Sequence, residues 1–217
     1  EDLKNAFGNS VVQVQYPVAV GSEFNAIVDV LLMKMFTWGP EGGEPKIEEI
    51  PENEKEKAEA LHNELVEAAA ENDEALMELY FEEGSLNEDQ MREGMKLGLL
   101  ERGHFPVFCV SAKRNMGVGR LMDFMANVLP NPAESPAPKD KEGNEVKPDA
   151  EGPTSLFVFK TSHEPHLGEV LFYKVMSGTI TEGVDLQNVN KSSKERFSQI
   201  YAVAGKNRAK AEKLYAG

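Results

Sequence analysis

Apolar residues dominate two segments near the start of the chain, Val11 to Val20 and Ala26 to Trp38, with Gly21-Ser22 between them. Runs of valine, leucine, methionine and phenylalanine bounded by turn residues are typical of strands, so this part predicts two strands. Glycine and proline then interrupt the pattern from Gly39 to Pro45.

From Glu48 to about Gly103 the apolar positions recur every three or four residues, surrounded by glutamate and lysine, which predicts amphipathic helices. The first helix contains Ala58, Leu61, Leu65, Ala68 and Ala69, and the second contains Leu76, Leu79 and Tyr80 and stops at Gly84. Asn87 is the predicted N-cap of a third helix, because Glu88 and Asp89 would place negative charge in its first turn.

An apolar run from Pro106 to Val110 predicts a buried strand, followed by a loop from Ser111 to Gly117 and a helix from about Val118 to Leu129. Strand, loop and helix in this order indicate part of an α/β sheet. Residues 131–152 are proline-rich and polar, which is typical of a linker.

From Pro153 onward the pattern alternates with a period of two, and glycines at Gly178 and Gly183 punctuate it. Short alternating strands separated by glycine turns predict a β-barrel or sandwich domain over residues 153–217. The predicted fold class is therefore α/β followed by β.

Charge is distributed unevenly along the chain. Residues 41–103 contain 20 acidic and 6 basic residues, a net charge of −14 that equals the formal charge of the whole chain. Residues 153–217 contain nine basic and six acidic residues, a net charge of +3. This balance argues against a protein whose whole surface binds nucleic acid, although a local basic surface remains compatible with it.

The single cysteine, Cys109, lies in the apolar run and predicts a buried core residue of an intracellular protein. We expect a cytoplasmic protein that does not bind a membrane, because no stretch has the length of a membrane span and no signal peptide opens the chain. We also expect a monomer.

Three patterns fail as sites for nucleotide or metal chemistry. The sequence around Gly205-Lys206 does not fit a phosphate-binding loop, and Asn190-Lys191-Ser192-Ser193 lacks the carboxylate of the guanine-reading Asn-Lys-x-Asp. His163-Glu164-Pro165-His166 has the wrong spacing for a helical zinc site, and its proline forbids that helix, so we predict a surface turn. No catalytic residue and no metal site is predicted.

One motif fits a nucleotide site. Ser111-Ala112-Lys113 follows the predicted strand and precedes the predicted helix, at the carboxyl edge of an α/β sheet, where ligands bind. In P-loop GTPases a Ser-Ala-Lys/Leu turn at this position donates backbone N–H groups to the guanine O6. An ordinary strand-to-helix loop is the alternative interpretation of three residues alone.

The surrounding sequence resembles bacterial translation elongation factor G. Residues 110–118, Val-Ser-Ala-Lys-Arg-Asn-Met-Gly-Val, resemble that family's Gly-Ser-Ala-x-Lys-Asn-x-Gly-Val. Further collinear matches are Val14-Gln15-Tyr16-Pro17-Val18, Ile27-Val28-Asp29-Val30, Met33-Lys34-Met35, Trp38, Ile50-Pro51, Leu76-Met77-Glu78-Leu79-Tyr80, Glu164-Pro165-His166-Leu167-Gly168, Val175-Met176-Ser177-Gly178-Thr179-Ile180, Glu182-Gly183 and Leu214-Tyr215-Ala216-Gly217. Lys113, Arg114 and Lys174 to Gly178 depart from the family pattern, which suggests a divergent elongation-factor-G-like paralogue.

The resemblance implies a fragment that runs from the late part of a P-loop GTPase domain into the following barrel. Residues 1–130 would be the C-terminal part of the G domain, including the helical G′ insertion at about 39–104, and residues 153–217 an incomplete domain II barrel with an open C-terminal edge. The P-loop, the switches and Asn-Lys-x-Asp would all precede Glu1. GTP or GDP would therefore bind the full-length parent, while this chain alone should neither hold nucleotide nor hydrolyse GTP.

The same resemblance implies a role in protein biosynthesis, as a ribosome-binding part of a GTP-binding translocase. Ser111, Ala112 and Lys113 would form the guanine-base loop. The acidic insertion would contact the ribosomal stalk protein, through the candidates Glu56, Glu59, Glu64 and Glu67. The barrel would contact small-subunit rRNA, through the candidates Lys194, Arg196, Lys206 and Arg208.

Other function classes stay open at this point. Another translational GTPase, such as a release or recycling factor or a ribosomal protection protein, would share the insertion. A free-standing acidic interaction module would have no ribosomal role, and an oligonucleotide-binding barrel would need stacking aromatics, for which Phe172, Tyr173 and Phe197 are the candidates.

Overall fold

The computed structural model describes residues 2–166 and 168–217 and divides the chain into two compact units, Glu1–Pro130 and Asn131–Gly217. Leu167, part of one motif quoted above, lies outside the described residues. Several antiparallel sheets and five α-helices among these residues make the chain a mixed α and β protein.

The first unit contains all five of these helices: α1 (Asp2–Phe7), α2 (Glu52–Ala70), α3 (Glu74–Glu83), α4 (Glu88–Leu100) and α5 (Val118–Val128). Its strands are β1 (Val11–Gln13), β2 (Gln15–Pro17), β3 (Ala26–Asp29), β4 (Lys34–Thr37), β5 (Lys46–Glu48) and β6 (Phe105–Val107). β1 pairs in parallel with β6, and β2 to β5 form an antiparallel sheet in chain order.

The prediction of two long strands near the N-terminus was wrong, because each apolar segment breaks. The second segment turns back on itself between β3 and β4. The Asp29 carboxylate accepts hydrogen bonds from the backbone N–H groups of Leu31 and Leu32, at 3.1 and 3.0 Å, and Met33 takes a positive φ of 51°. These local bonds close a hairpin turn inside what reads as one apolar run.

The three predicted helices of the acidic region are confirmed. Asn87 caps α4 as expected: its side chain accepts the Gln90 N–H at 3.0 Å, and the Gln90 side chain accepts the Asn87 N–H at 2.8 Å. Asp73 caps α3 without the reciprocal bond: its side chain accepts the N–H groups of Ala75 and Leu76 at 2.9 and 3.1 Å, and Gly84 ends that helix with φ 73°. The helix predicted from Val118 is confirmed as α5.

The core of the first unit joins these helices to the strands. Its fully buried large side chains include Tyr16, Leu65, Met91 and Phe124. A second, smaller cluster consists of Ile27, Phe36, Trp38 and Met116, and it brings the loop after β6 against the β3–β4 hairpin.

The second unit is built from antiparallel strand pairs: β7 (Ser155–Glu164) with β8 (Gly168–Ser177), β9 (Thr179–Thr181) with β14 (Lys213–Tyr215), β10 (Val184–Asn188) with β11 (Ser193–Phe197), and β12 (Ile200–Ala204) with β13 (Asn207–Ala211). Val175, Ile180 and Ile200 form the buried centre. The segment predicted as a linker, residues 131–152, lies entirely in this unit, and its end is bonded to the strands: Gly178 N–H donates to Asp149 O at 2.7 Å.

Among the described residues, no helix is both long and apolar enough to cross a membrane.

Candidate nucleotide-base loop and charged surfaces

The loop after β6 is a tight turn. Ser111 and Met116 pair across it through two backbone hydrogen bonds of 2.9 and 3.1 Å, and Asn115 N–H donates to Ala112 O at 3.2 Å. Asn115 and Gly117 take positive φ values of 51° and 74°, which lets the chain reverse and enter α5. Met116 is fully buried, so the turn is anchored in the core.

The three residues of the predicted guanine-base loop differ in whether their backbone N–H groups are already hydrogen-bonded. The Ser111 N–H is already bonded to Met116 O. Ala112 and Lys113 are exposed, and their N–H groups have no acceptor among the described residues. Two adjacent free donors at the end of a strand can bind a carbonyl oxygen of a ligand.

A buried polar network lies beneath the loop. Arg120, in the first turn of α5, donates from Nε to Asp29 Oδ2 at 2.8 Å, and Gln15 Nε2 donates to the same oxygen at 2.9 Å. Gln15 Oε1 accepts the Cys109 N–H at 3.3 Å, which connects the network to the strand that leads into the loop. Asp29 is fully buried and the Arg120 side chain is 5% exposed, so the pair is desolvated on both sides.

The loop also touches the segment between β4 and β5. Gly42 has φ 74°, and a Cβ built on it would lie 1.6 Å from the Arg114 carbonyl oxygen, so only glycine fits there. Arg114 Nη2 donates to Phe24 O at 2.6 Å. The base of the acidic insertion and the candidate loop are therefore in direct backbone contact.

The four glutamates predicted to contact a partner all lie on α2 and are exposed. At 100° per residue they span an arc of about 140°, opposite the buried Ala58, Leu65 and Ala69. Two of them have partners: Glu64 accepts from Lys4 Nζ at 3.2 Å and Glu67 accepts from Tyr80 Oη at 3.0 Å. Glu56 and Glu59 form no hydrogen bond within the described residues, so they are the freest carboxylates of this set.

The four predicted basic residues lie on two hairpins of the second unit. Lys194 and Arg196 are exposed on β11, Lys206 is in the turn between β12 and β13, and Arg208 is on β13. The structure brings Arg196 and Arg208 to one cavity of about 240 Å³ that Phe197 and Tyr201 also line.

Both of these arginines are paired with carboxylates. Arg196 Nη1 lies 3.3 Å from Asp185 Oδ1, and Arg208 bonds to Glu164, which lowers the pKa of that carboxyl. Lys194 and Lys206 form no ion pair within the described residues, so their charges are the most available to a partner.

The remaining candidate motifs behave as structural elements. His163 and Glu164 end β7 and only Pro165 and His166 lie in the turn that follows, so the predicted surface turn was right for the second half of this motif and wrong for the first. Cys109 is half-buried and packs at the edge of the smaller cluster, so the prediction of a buried core residue was only partly right; its burial raises the pKa of the thiol. Within residues 2–166 and 168–217, no group of three or more potential ligands is placed to hold a metal ion.

Comparisons with known proteins decide the family. Residues 153–217 match the family "Elongation factor G domain 2". Along its full length the chain is 34% identical to Elongation factor G of Fervidobacterium nodosum. The chain belongs to the elongation factor G family. It covers 32% of that relative, so it spans about a third of the relative's length.

A solved structure from Thermus thermophilus has the same fold as this elongation factor G family member, with a TM-score of 0.77 and 25% identity. The match covers the whole of this chain and 30% of that one.

Sequence reasoning missed the Asp29–Arg120 pair and the contact at Gly42. Asp29 lies inside a quoted motif, which was the available signal, but its partner is 91 positions away. Gly42 lies in a segment that reads only as a break in the pattern.

Proposed function

We propose that this chain is the ribosome-binding part of a translational GTPase of the elongation factor G type, a ribosomal translocase. The observation that carries the proposal is the 34% identity to an elongation factor G along the complete chain, from α1 through β14. A free-standing acidic interaction module would not be expected to match an elongation factor G in both units and in the same order.

The domain boundaries follow from the same proposal. Residues 1–130 correspond to the C-terminal part of a P-loop GTPase domain, with the G′ insertion at about 39–104, residues 131–152 to a linker, and residues 153–217 to domain II. The parallel β1–β6 pair followed by α5 supports the first assignment, because parallel strands with crossover helices are the pattern of that domain class. Domain II is a barrel in this proposal, of which the strand pairs β7 to β14 form the part present here.

Ser111, Ala112 and Lys113 form the guanine-base loop in this proposal, with the N–H groups of Ala112 and Lys113 as the donors to the guanine O6. GTP and GDP are the ligands of the full-length parent, and the phosphate-binding segments are supplied outside this chain. The chain by itself is then not a GTPase.

The exposed face of α2 is the stalk-protein surface in this proposal, with Glu56 and Glu59 contributing more than the partnered Glu64 and Glu67. Carboxylates on one side of a helix steer a basic partner through long-range attraction. Lys194 and Lys206, with Arg196 and Arg208, are the contacts to rRNA phosphates, whose binding is salt-dependent because counterions are released.

The test is co-sedimentation of this chain with ribosomes, and separately its binding to the isolated C-terminal domain of the stalk protein, across a salt series. Glu56→Lys with Glu59→Lys should weaken binding to the stalk domain, while Glu82→Lys with Glu83→Lys, an equal charge change on exposed positions of α3, should have a smaller effect. Lys194→Glu with Lys206→Glu should weaken ribosome binding more than Lys160→Glu with Lys174→Glu, an equal charge change at exposed positions of β7 and β8.

A folded chain that binds neither target at low salt would contradict the proposal and would favour an interaction module without a ribosomal role. Equal losses in the test and control variants would show that net charge, and not these surfaces, determines binding.

A further inference from the structure

Strand β7 carries two phenylalanine side chains that the core of the second unit does not bury. Phe157 and Phe159 are 60% and 61% exposed. Within residues 2–166 and 168–217, neither ring contacts another aromatic ring or a cation. Neighbouring exposed apolar side chains, unlike scattered ones, mark interaction surfaces.

The pairing of β7 with β8 shows that this surface faces away from the core. Val175 lies in the buried core, and Tyr173 packs against it. Because side chains alternate between the two faces of a strand, Lys174 points to the opposite face. Phe157 is the cross-strand partner of Lys174, and paired residues share a face. These two side chains therefore lie side by side on the outer face of the hairpin.

Lys160 and Lys174 bring positive charge to the same surface. Lys160 directly follows Phe159, which lies in a β-bulge where no residue of β8 opposes it. Lys160 Nζ lies 5.3 Å from the centre of the Phe172 ring, so the open rings are those of Phe157 and Phe159. Both lysines are exposed, and neither forms an ion pair within the described part of the chain.

No carboxylate interrupts this surface. Residues 155–162 and 170–177 contain both lysines and no aspartate or glutamate, in a chain whose formal net charge is −14. The one acidic residue of β7, Glu164, is bonded to Arg208. The hairpin therefore presents positive charge beside open aromatic rings.

The aromatic residues considered for base stacking from the sequence are not the open ones. Tyr173 and Phe197 pack edge to face against the core, with ring centres 5.8 Å apart. Phe172 has a lysine ammonium over its ring. A stacking surface on this hairpin therefore consists of different residues from those that the sequence indicated.

The combination of rings and lysines decides which kind of ligand fits. An acidic peptide would pair with the lysines but would not cover the rings, and an apolar protein surface would desolvate both ammonium groups without pairing them. A single-stranded nucleic acid offers phosphates to the lysines and unpaired bases to the rings. A duplex offers its phosphates, but its paired and stacked bases cannot lie on a protein ring without being flipped out.

We propose that Phe157, Phe159, Lys160 and Lys174 form a binding surface for a short single-stranded segment of nucleic acid. Bases stack on the two phenylalanine rings, and the two ammonium groups contact phosphates. The surface shares no residue with the guanine-base loop or with the basic residues proposed to contact rRNA phosphates. It therefore does not depend on the proposed ribosomal function.

The test is fluorescence anisotropy of this chain with labelled ten-nucleotide probes. Decauridine and decathymidine represent the RNA and DNA forms of the ligand, and an abasic oligomer of the same length and label keeps the phosphates without the bases. Both base-containing probes are expected to bind at least about fivefold more tightly than the abasic oligomer, because stacking on aromatic side chains requires bases.

The double variant Phe157→Ala with Phe159→Ala should weaken decauridine binding by about fivefold or more and leave the abasic oligomer unaffected. Phe157→Tyr with Phe159→Tyr should retain binding, because tyrosine also stacks. Phe81→Ala is the matched control, since Phe81 is 78% exposed but lies on the acidic helix α3. All of these side chains are exposed, so the variants should remain folded.

The lysines separate this surface from the proposed ribosomal contacts. Lys160→Glu with Lys174→Glu should weaken decauridine binding more than ribosome binding and reduce its dependence on salt. Lys194→Glu with Lys206→Glu should have the opposite preference. The two proposals can therefore fail independently of each other.

Selective loss of decauridine binding in the phenylalanine-to-alanine variant, with retention in Phe81→Ala, would support the surface. Equal affinity for decauridine and the abasic oligomer, or unchanged binding after removal of both rings, would overturn it. Failure of every probe to bind the folded chain at low salt would also overturn it and would favour coverage of the rings by a protein surface.

Discussion

The two units bury their apolar side chains to different extents. In the first unit, helices α2, α4 and α5 pack against strands around large, fully buried residues such as Tyr16, Leu65 and Phe124. In the second unit, three buried residues, Val175, Ile180 and Ile200, form the centre, while Phe157 and Phe159 on β7 are 60% and 61% exposed. Because apolar burial is the main favourable term in folding, the first unit should be the more stable of the two.

The ion pairs of the two units also differ in how deeply they are buried. The first unit contains a desolvated pair, Asp29 with Arg120. The second unit has pairs with substantial exposure on at least one side, such as Arg196 with Asp185 and Lys210 with Glu182. Exposed pairs contribute little to stability, whereas breaking a buried pair leaves an uncompensated charge. Single substitutions should therefore have larger effects in the first unit.

The largest effect is expected from Asp29→Ala, which leaves Arg120 buried without its main partner. We expect a loss of about 3–5 kcal/mol in the free energy of unfolding, measured by urea denaturation followed through Trp38 fluorescence. Asp123→Ala removes the exposed partner of the same arginine and should cost less than about 1 kcal/mol. If both variants lost similar amounts of unfolding free energy, the burial of Asp29 would not explain the cost of removing a partner of Arg120.

The contrast between the two cores is tested by a matched pair of truncations, Leu65→Ala and Ile180→Ala. Leu65→Ala should lower the free energy of unfolding by about 2–5 kcal/mol, because it opens a cavity in the larger core. Trp38 lies in the first unit, so its fluorescence transition should shift in Leu65→Ala and stay unchanged in Ile180→Ala. An equal shift in both variants would mean that the units unfold as one cooperative body.

Alanine substitutions at Gly42 and Gly43 distinguish the stability cost of a steric clash from the cost of an unfavourable backbone conformation. Both have positive φ, 74° and 93°, but only a Cβ at Gly42 meets an atom, the Arg114 oxygen. Gly42→Ala should cost about 2–4 kcal/mol and Gly43→Ala about 1–2 kcal/mol, measured by thermal unfolding. Equal costs would argue against the close approach between this segment and the loop.

The smallest effect concerns pH and His104. Burial holds the pKa of His104 below its ordinary value, and Asn72 Nδ2 lies 3.3 Å from its Nδ1, an acceptor only while the ring is neutral. The unfolded chain therefore binds the proton more readily, and stability should fall as pH drops from about 6.5 toward the folded-state pKa. Urea midpoints measured on both sides of this window should differ more for the wild type than for His104→Gln.

Short-range patterns predicted much of the first unit. The spacing of Leu61, Leu65 and Ala69 predicted α2, and Asn87 with its acidic neighbours predicted the start of α4. Both depend on contacts within a few residues, namely helical periodicity and a capping bond, so they can be read from the chain. The difference in net charge between residues 41–103 and residues 153–217 can likewise be read from the sequence alone.

The candidate guanine-base loop shows a feature that the sequence could predict only in part. Ser111, Ala112 and Lys113 could be proposed from their position after a strand, but only the fold shows that the Ser111 N–H is occupied and the other two are free. The break of the apolar run at Asp29 was missed for a related reason: the run is apolar on both sides of the turn, and one carboxylate decides that it folds back.

The sequence by itself determined the helices of the acidic region, the alternating strands after Pro153 and the collinear resemblance to elongation factor G. The tertiary structure alone decided the Asp29–Arg120 pair and the approach of Gly42 to Arg114. The physical reason is the separation along the chain of the residues that interact. Helix periodicity and caps act between neighbours along the chain, whereas these two features join residues separated by at least 70 positions, which become neighbours only when the core assembles.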